Sequence, residues 1–174
     1  MKKLISLFVI TVFTVINLHA KVALPPIFAD NMVFQQQTDA AIWGKAEPGA
    51  KVTVSVSWSK EKTIVKSDAE GKWFARIKTP QAGGPYEITV SDGEKLTLKN
   101  ILIGEVWICS GQSNMEMPMK GFNGQPVRDA ADYILSAKAD LPVRSCNLKR
   151  ICSLEPNETC PATWYEHTPE GVYE

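Results

Sequence analysis

Alternating apolar and polar positions dominate the chain between residues 24 and 99. In three runs, an apolar side chain occupies every second position, which places these side chains on one face of a half-buried strand. The apolar positions are Val52, Val54, Val56 and Trp58 in the first run, Trp73, Ala75 and Ile77 in the second, and Tyr86, Ile88 and Val90 in the third. Glycine- and proline-containing segments at 47–49, 68–71, 82–85 and 91–93 have the composition of tight turns. The pattern predicts an antiparallel β-sandwich of the immunoglobulin-like type.

The pattern changes at Asn100. Residues 101–109 are almost continuously apolar, as in a strand that is covered on both faces. Residues 126–139 have the spacing of an amphipathic helix, and 143–151 are compatible with a second strand. Strand, helix and strand form one βαβ unit, so we expect a sandwich at 21–99 and the start of an α/β domain at 100–174. Its 75 residues are fewer than the roughly 150 that a doubly wound domain needs, which predicts a truncated domain.

The first twenty residues have the order of a secretory signal peptide. Lys2 and Lys3 precede an apolar run at 4–16, and the small residue Ala20 precedes Lys21. The alternative is a membrane anchor, but the run is shorter than the roughly 20 residues that span a bilayer. We therefore expect a secreted or periplasmic protein with no membrane association after cleavage.

Composition excludes some partners and leaves the cysteines open. Lys plus Arg and Asp plus Glu number 19 each in 174 residues, so nothing indicates a nucleic-acid partner. The four cysteines allow three fully paired connectivities, and their spacing does not match a zinc site. We expect one disulfide among Cys146, Cys152 and Cys160, with Cys109 buried and reduced.

Ser113 is the candidate nucleophile. It follows the buried strand after Gly111, which permits a sharp turn, and active sites of α/β sheets gather at the carboxyl ends of strands. A helical turn at 114–117 would offer backbone N–H groups to an oxyanion, and Pro118 would keep that turn short. One alternative is that Ser113 only caps the helix. Ser110 is a second candidate, although it precedes the turn glycine.

Residues 104–119, GEVWICSGQSNMEMPM, closely resemble the opening of the sialate O-acetylesterase family of SGNH-type hydrolases. Segments 24–36, 41–46 and 68–73 are similar to the amino-terminal region of the same family. The resemblance implies a β-sandwich followed by the first βαβ unit of a truncated SGNH domain, which is flavodoxin-like and three-layered. It further implies removal of acetyl groups from sialic acid or related sugars by a serine nucleophile, with no metal or organic cofactor.

The resemblance also implies roles for individual residues. Ser113 matches the family nucleophile and its N–H would be one oxyanion donor, while Gln112 and Asn114 would shape the turn and the substrate pocket. The catalytic His, its orienting Asp and further oxyanion donors belong to later segments. His167 does not match the position of the base, so we expect it to be structural or solvent-facing. The chain by itself is therefore expected to have no useful esterase activity.

An alternative function is that of a non-catalytic exported β-sandwich that binds glycans. Its support would come from Trp43, Trp58 and Trp73, because aromatic rings stack on sugars, but tryptophans on alternating strands more often belong to the core. The sequence leaves open which acetylated sugar is the substrate and what the oligomeric state is.

Overall fold

The computed structural model describes residues 21–173, within which the chain forms nine strands and three short helices. The elements are β1 (Val33–Gln35), β2 (Asp39–Lys45), β3 (Lys51–Val56), β4 (Lys62–Lys66), β5 (Lys72–Lys78), β6 (Gly83–Ser91), β7 (Lys95–Gly104), α1 (Ser113–Glu116), α2 (Ala130–Ser136), β8 (Arg144–Leu148), β9 (Ala162–Glu166) and α3 (Pro169–Tyr173). The predicted signal peptide at 1–20 lies outside the described residues. Between residues 21 and 173, no helix has the length and apolar character needed to cross a bilayer.

Seven of the strands form two sheets around one core. The larger sheet has the order β1-β7-β6-β3-β4, and β2 pairs with β5 in the smaller one. All these pairs are antiparallel except β1 and β7, which run parallel with Gln35 opposite Gly104. The prediction of a purely antiparallel sandwich is therefore wrong at this edge. Parallel neighbours need a long crossover connection, and strands β2 to β6 supply it.

The predicted alternation of buried and exposed side chains is confirmed in the central strands. Apolar side chains from both sheets form one hydrophobic cluster, which includes Ile42, Val52, Val54, Trp73, Ala75, Ile77, Ile88, Val90 and Ile101. Trp73 is buried in this cluster, and Trp43 and Trp58 pack against it. The tryptophans are thus core residues, and they do not form an exposed platform for sugars.

Three of the four predicted turns are confirmed. Gly49 and Gly71 have φ angles of +74° and +75°, and a Cβ at Gly71 would lie 2.4 Å from the carbonyl oxygen of Ala46. The turn at 91–93 joins β6 to β7, with the Gly93 N–H donating to the Ser91 hydroxyl. The segment 82–85 is instead largely part of β6, where the pairing with β7 shifts register.

Strand β7 differs from the predicted strand at 101–109. It begins at Lys95, passes through Asn100 and ends at Gly104. Ile101 and Ile103 are buried, whereas Trp107 and Ile108 are exposed by 84% and 94% because no described element packs over them. The apolar run therefore consists of a buried strand end followed by an exposed segment, and the division of the chain into two domains stays a prediction.

The predicted βαβ unit is not formed within residues 21–173. Helix α2 is shorter than the predicted helix at 126–139 and begins after Asp129, whose φ is +57°. Strand β8 lies within the predicted 143–151, but it pairs antiparallel with β9. The physical reason is that β1 and β6 already occupy both edges of β7, so β8 has no free edge there.

A polar junction attaches the β8–β9 hairpin to the larger sheet. The Glu166 Oε1 accepts a hydrogen bond from Asn100 Nδ2 at 2.8 Å and lies 3.0 Å from Arg144 Nη2. The Arg144 side chain is only 5% exposed, and its remaining hydrogen bond in the described chain is from Nη1 to the Val143 carbonyl at 3.0 Å. Trp164 Nε1 also donates to the carbonyl of Ile27 at 2.8 Å.

Glu166→Ala should lower the free energy of unfolding by about 1–3 kcal/mol, because it leaves the buried Arg144 guanidinium without its carboxylate. Chemical denaturation of the chain would measure the change. The control is Glu170→Ala, which removes an exposed carboxylate of α3 and should change stability by no more than about 0.5 kcal/mol. Equal effects of the two substitutions would contradict the role assigned to the junction.

Candidate active site

Ser113 is the first residue of α1 and follows segment 105–112, which forms neither helix nor strand. Gln112 is the N-cap residue, with extended backbone angles, and its carbonyl accepts a hydrogen bond from the Met115 N–H at 2.9 Å. The helix ends at Glu116 because Pro118 disfavours helical backbone at the residue before it. The short helical turn predicted after Gly111 is therefore confirmed, one residue earlier than expected.

The hydroxyl of Ser113 is free to meet a substrate. Gln112, Ser113 and Asn114 are all exposed, and the Ser113 side chain has no hydrogen-bond partner among residues 21–173. No side chain caps α1, so Ser113 does not act as the helix cap that the sequence left as an alternative. Ser110 is also exposed, but it lies in segment 105–112 before the helix.

No described group is placed to act as the base for Ser113. His167 follows β9, is half-buried and makes no hydrogen bond to Ser113. The one carboxylate of α1, Glu116, lies 3.3 Å from Arg150 Nη2 in an exposed ion pair. Serine is a poor nucleophile without an adjacent base. A hydrogen-bonded base for Ser113 is therefore not found among residues 21–173.

Gly111 lies close to the side chain of Met115. A Cβ at residue 111 would lie 2.6 Å from Met115 Cγ, closer than unstrained contacts allow. The Met115 side chain would therefore have to shift to accommodate a larger residue at position 111. The chain bends at Gln112, directly after this glycine, as it enters α1, and Gly111 itself is not in the left-handed region.

The four cysteines are free thiols in the structure. The expected disulfide among Cys146, Cys152 and Cys160 is not formed, and Cys109 is exposed instead of buried because segment 105–112 is uncovered. Burial raises the pKa of the Cys146 thiol, and the neighbouring Cys160 raises it further. Within the described chain, no group of three or more His, Cys, Asp or Glu side chains could hold a metal ion.

A polar cluster that the sequence does not predict lies where the chain leaves the sheet. Gln35 Nε2 donates to Glu105 Oε2 at 3.1 Å, and Gln36 Nε2 donates to Glu105 Oε1 at 2.6 Å. We call these three residues the Gln–Glu clamp. The signal in the sequence is weak, because the partners are 69 and 70 positions apart and only the fold brings them together.

Comparisons with known proteins agree with the resemblance stated above. The chain is 35% identical over 120 residues to a sialate O-acetylesterase of Mus musculus, covering 61% of this chain and 22% of that protein. It is 38% identical over 99 residues to a sialate O-acetylesterase of Homo sapiens, covering 51% and 19% respectively. No protein-family model matches the chain.

A crystal structure of a carbohydrate acetylesterase from Xanthomonas citri superposes with a TM-score of 0.78 at 30% identity, covering 88% of this chain and 34% of that one. The chain thus spans about a fifth of the length of the curated relatives it matches and about a third of the solved structure. The similarity to sialate O-acetylesterases is confirmed, and the partial coverage fits an amino-terminal portion of such a protein.

Proposed function

We propose that this chain is the amino-terminal part of an exported carbohydrate acetylesterase in which Ser113 is the nucleophile. The observation that carries the proposal is the match to acetylesterases at 30–38% identity. The structure adds an exposed, unpartnered serine hydroxyl at the start of the turn after β7. The substrate class is an acetylated sugar, of which sialic acid is the example that the names of the relatives provide.

We also propose that residues 105–174 belong to an SGNH hydrolase domain that is completed by further chain. The support is the uncovered apolar surface of this part, where Trp107, Ile108, Leu135 and Leu154 are all more than 70% exposed. Large exposed apolar surfaces usually mark an interface. In the full-length protein, the remaining part of the catalytic domain would cover them, and segment 105–109 would become its first strand beside an immunoglobulin-like sandwich.

In the proposed reaction, the Ser113 Oγ attacks the carbonyl carbon of the acetyl ester. The proton of the hydroxyl passes to a base, and the sugar leaves with a proton as an alcohol. Water then attacks the acetyl-serine, which releases acetate and restores the hydroxyl. Gln112 and Asn114 flank the hydroxyl on exposed backbone, where they can contact the sugar. The base and its orienting carboxylate would come from outside residues 21–173.

A binding module without catalytic activity has less support. That alternative relied on exposed tryptophans, and Trp43, Trp58 and Trp73 pack in or against the core. Export to the periplasm or the cell exterior remains part of the proposal, and its support is the order of charges and apolar residues at 1–20.

The chain by itself should hydrolyse an aryl acetate no faster than buffer does, because Ser113 has no base. The full-length protein should hydrolyse the aryl acetate and release acetate from acetylated sugars. Both proteins would be assayed at equal concentration, with circular dichroism to verify that the chain is folded. Turnover by the chain that Ser113→Ala abolishes would contradict its proposed inactivity, and a full-length protein inert towards every acetyl ester would overturn the proposed function.

A further inference from the structure

The Gln–Glu clamp lies at the last point where the chain is attached to the sheet before Ser113. Both oxygens of the Glu105 carboxylate accept hydrogen bonds, one from Gln35 and one from Gln36. The Gln35 side chain then accepts through Oε1 from the Val106 N–H at 2.9 Å. One amide therefore holds two successive residues of the departing chain.

The clamp residues are themselves fixed by the sheet. The Gln36 N–H donates to the Gly104 carbonyl at 2.9 Å, and Gln36 Oε1 accepts from the Ala82 N–H at 2.8 Å. The carbonyl of Gln35 accepts from the buried Thr79 hydroxyl at 2.8 Å. The two glutamines are thus held by two backbone groups and one buried side-chain hydroxyl, and their side chains can transmit this fixed position to Glu105.

Beyond the clamp, the chain makes few other attachments before Ser113. Residues 107–112 are exposed, and the first hydrogen bond after Val106 in the described structure is the one from the Met115 N–H to Gln112. The direction in which residues 105 and 106 leave β7 therefore determines where the following segment begins. A displacement of about 1 Å at a reacting group can cost a hundredfold in rate.

We propose that Gln35, Gln36 and Glu105 are positioning residues that fix the segment carrying Ser113 relative to the β-sheet. The effect of the Gln–Glu clamp on catalysis rests on the proposed function. Its effect on the position of the segment rests on the hydrogen bonds alone. The hydrogen bonds from Gln36 and then Gln35 also lower the pKa of the Glu105 carboxyl below its ordinary value, because they stabilise its ionised form.

The side chains of Gln36 and Glu105 can be exchanged with each other as a test of the clamp. Gln36→Glu alone places two carboxylates against each other, and Glu105→Gln alone places two amide NH₂ groups against each other. The combination of both restores every bond: the amide at 105 donates to the carboxylate at 36 and accepts from Gln35, and that carboxylate still accepts from the Ala82 N–H. The net charge is unchanged.

In the full-length enzyme, each single substitution should lower kcat for acetate release by about 10- to 100-fold with KM within about twofold. The double substitution should recover kcat to within about threefold. Active-site titration distinguishes a lower kcat from a loss of folded protein. A purely structural role would lower the number of active sites and leave kcat per site unchanged. No recovery in the double variant would overturn the proposal.

Hydrogen exchange of the Val106 N–H tests the clamp without any catalysis. In this chain, Gln35→Ala removes the acceptor and should speed exchange by about tenfold, whereas the control Gln81→Ala, in an exposed loop, should leave it unchanged. Unchanged exchange in Gln35→Ala would overturn the clamp. If the full-length protein has no esterase activity, the proposed function fails. The hydrogen exchange of Val106 then still tests whether the clamp holds the segment to the sheet.

Discussion

Ser113→Ala should reduce kcat for acetate release by the full-length enzyme by about ten-thousand-fold or more. Loss of a triad member in serine hydrolases has effects of this order, because the acyl-enzyme cannot form without its nucleophile. The substitution should remove the hydroxyl without disturbing the fold. The Ser113 hydroxyl is exposed and makes no hydrogen bond among residues 21–173. Steady-state kinetics with an aryl acetate and with an acetylated sugar would measure the loss.

Ser110→Ala is the matched control for this substitution. Ser110 lies three residues earlier in the same exposed part of the chain, and it is the second serine that the sequence offers as a candidate. We expect its replacement to change kcat by less than about threefold, since surface substitutions away from special features have small effects. A large loss with Ser110→Ala and none with Ser113→Ala would transfer the nucleophile to Ser110.

Ile101→Ala should lower the free energy of unfolding of this chain by about 2–5 kcal/mol. Ile101 is fully buried in the core of the sheet, so truncation removes apolar burial and leaves a cavity. Ile108→Ala removes the same atoms from the same apolar run, but Ile108 is 94% exposed and its loss should cost at most about 0.5 kcal/mol. Chemical denaturation followed by circular dichroism would compare the two variants.

The comparison also tests the proposed completion of the catalytic domain. In the full-length protein, where Ile108 would be covered, Ile108→Ala should become destabilising by about 1–3 kcal/mol. An equally large loss from Ile108→Ala in the short chain would mean that the strand extends to Cys109, as the apolar run alone predicts. A negligible loss from Ile101→Ala would contradict the core described here.

The strands that the sequence predicts correctly are those with one face on the core. In β3, β5 and β6, the alternation of apolar and polar residues predicts burial correctly, because every second side chain packs into the same hydrophobic cluster. The run at 101–109 is different. Hydrophobicity shows which side chains would gain from burial, but burial also needs a partner, and for Trp107 and Ile108 none is present in the described chain.

The same distinction applies to the candidate active site. Ser113 could be proposed from a local motif, because the short helical turn that begins at this residue involves only neighbouring residues. The Gln–Glu clamp could not, because it joins residues 69 and 70 positions apart and depends on the parallel pairing of β1 with β7. The pairing of β8 with β9 also depended on edge availability, which no single segment encodes.

The parallel pair at the edge of the sheet has a consequence for the order of folding. Among the described residues, β1 is the first strand, whereas its neighbour β7 is the last strand of the sheet, so β1 cannot pair until the intervening chain is available. Antiparallel neighbours such as β6 and β7 are joined by short loops and can pair early. The pairing of β1 with β7 closes a long loop, which costs more conformational entropy. We therefore expect β1 to dock late in folding, so that Ser113, the proposed nucleophile, reaches its final position only after the sheet is complete.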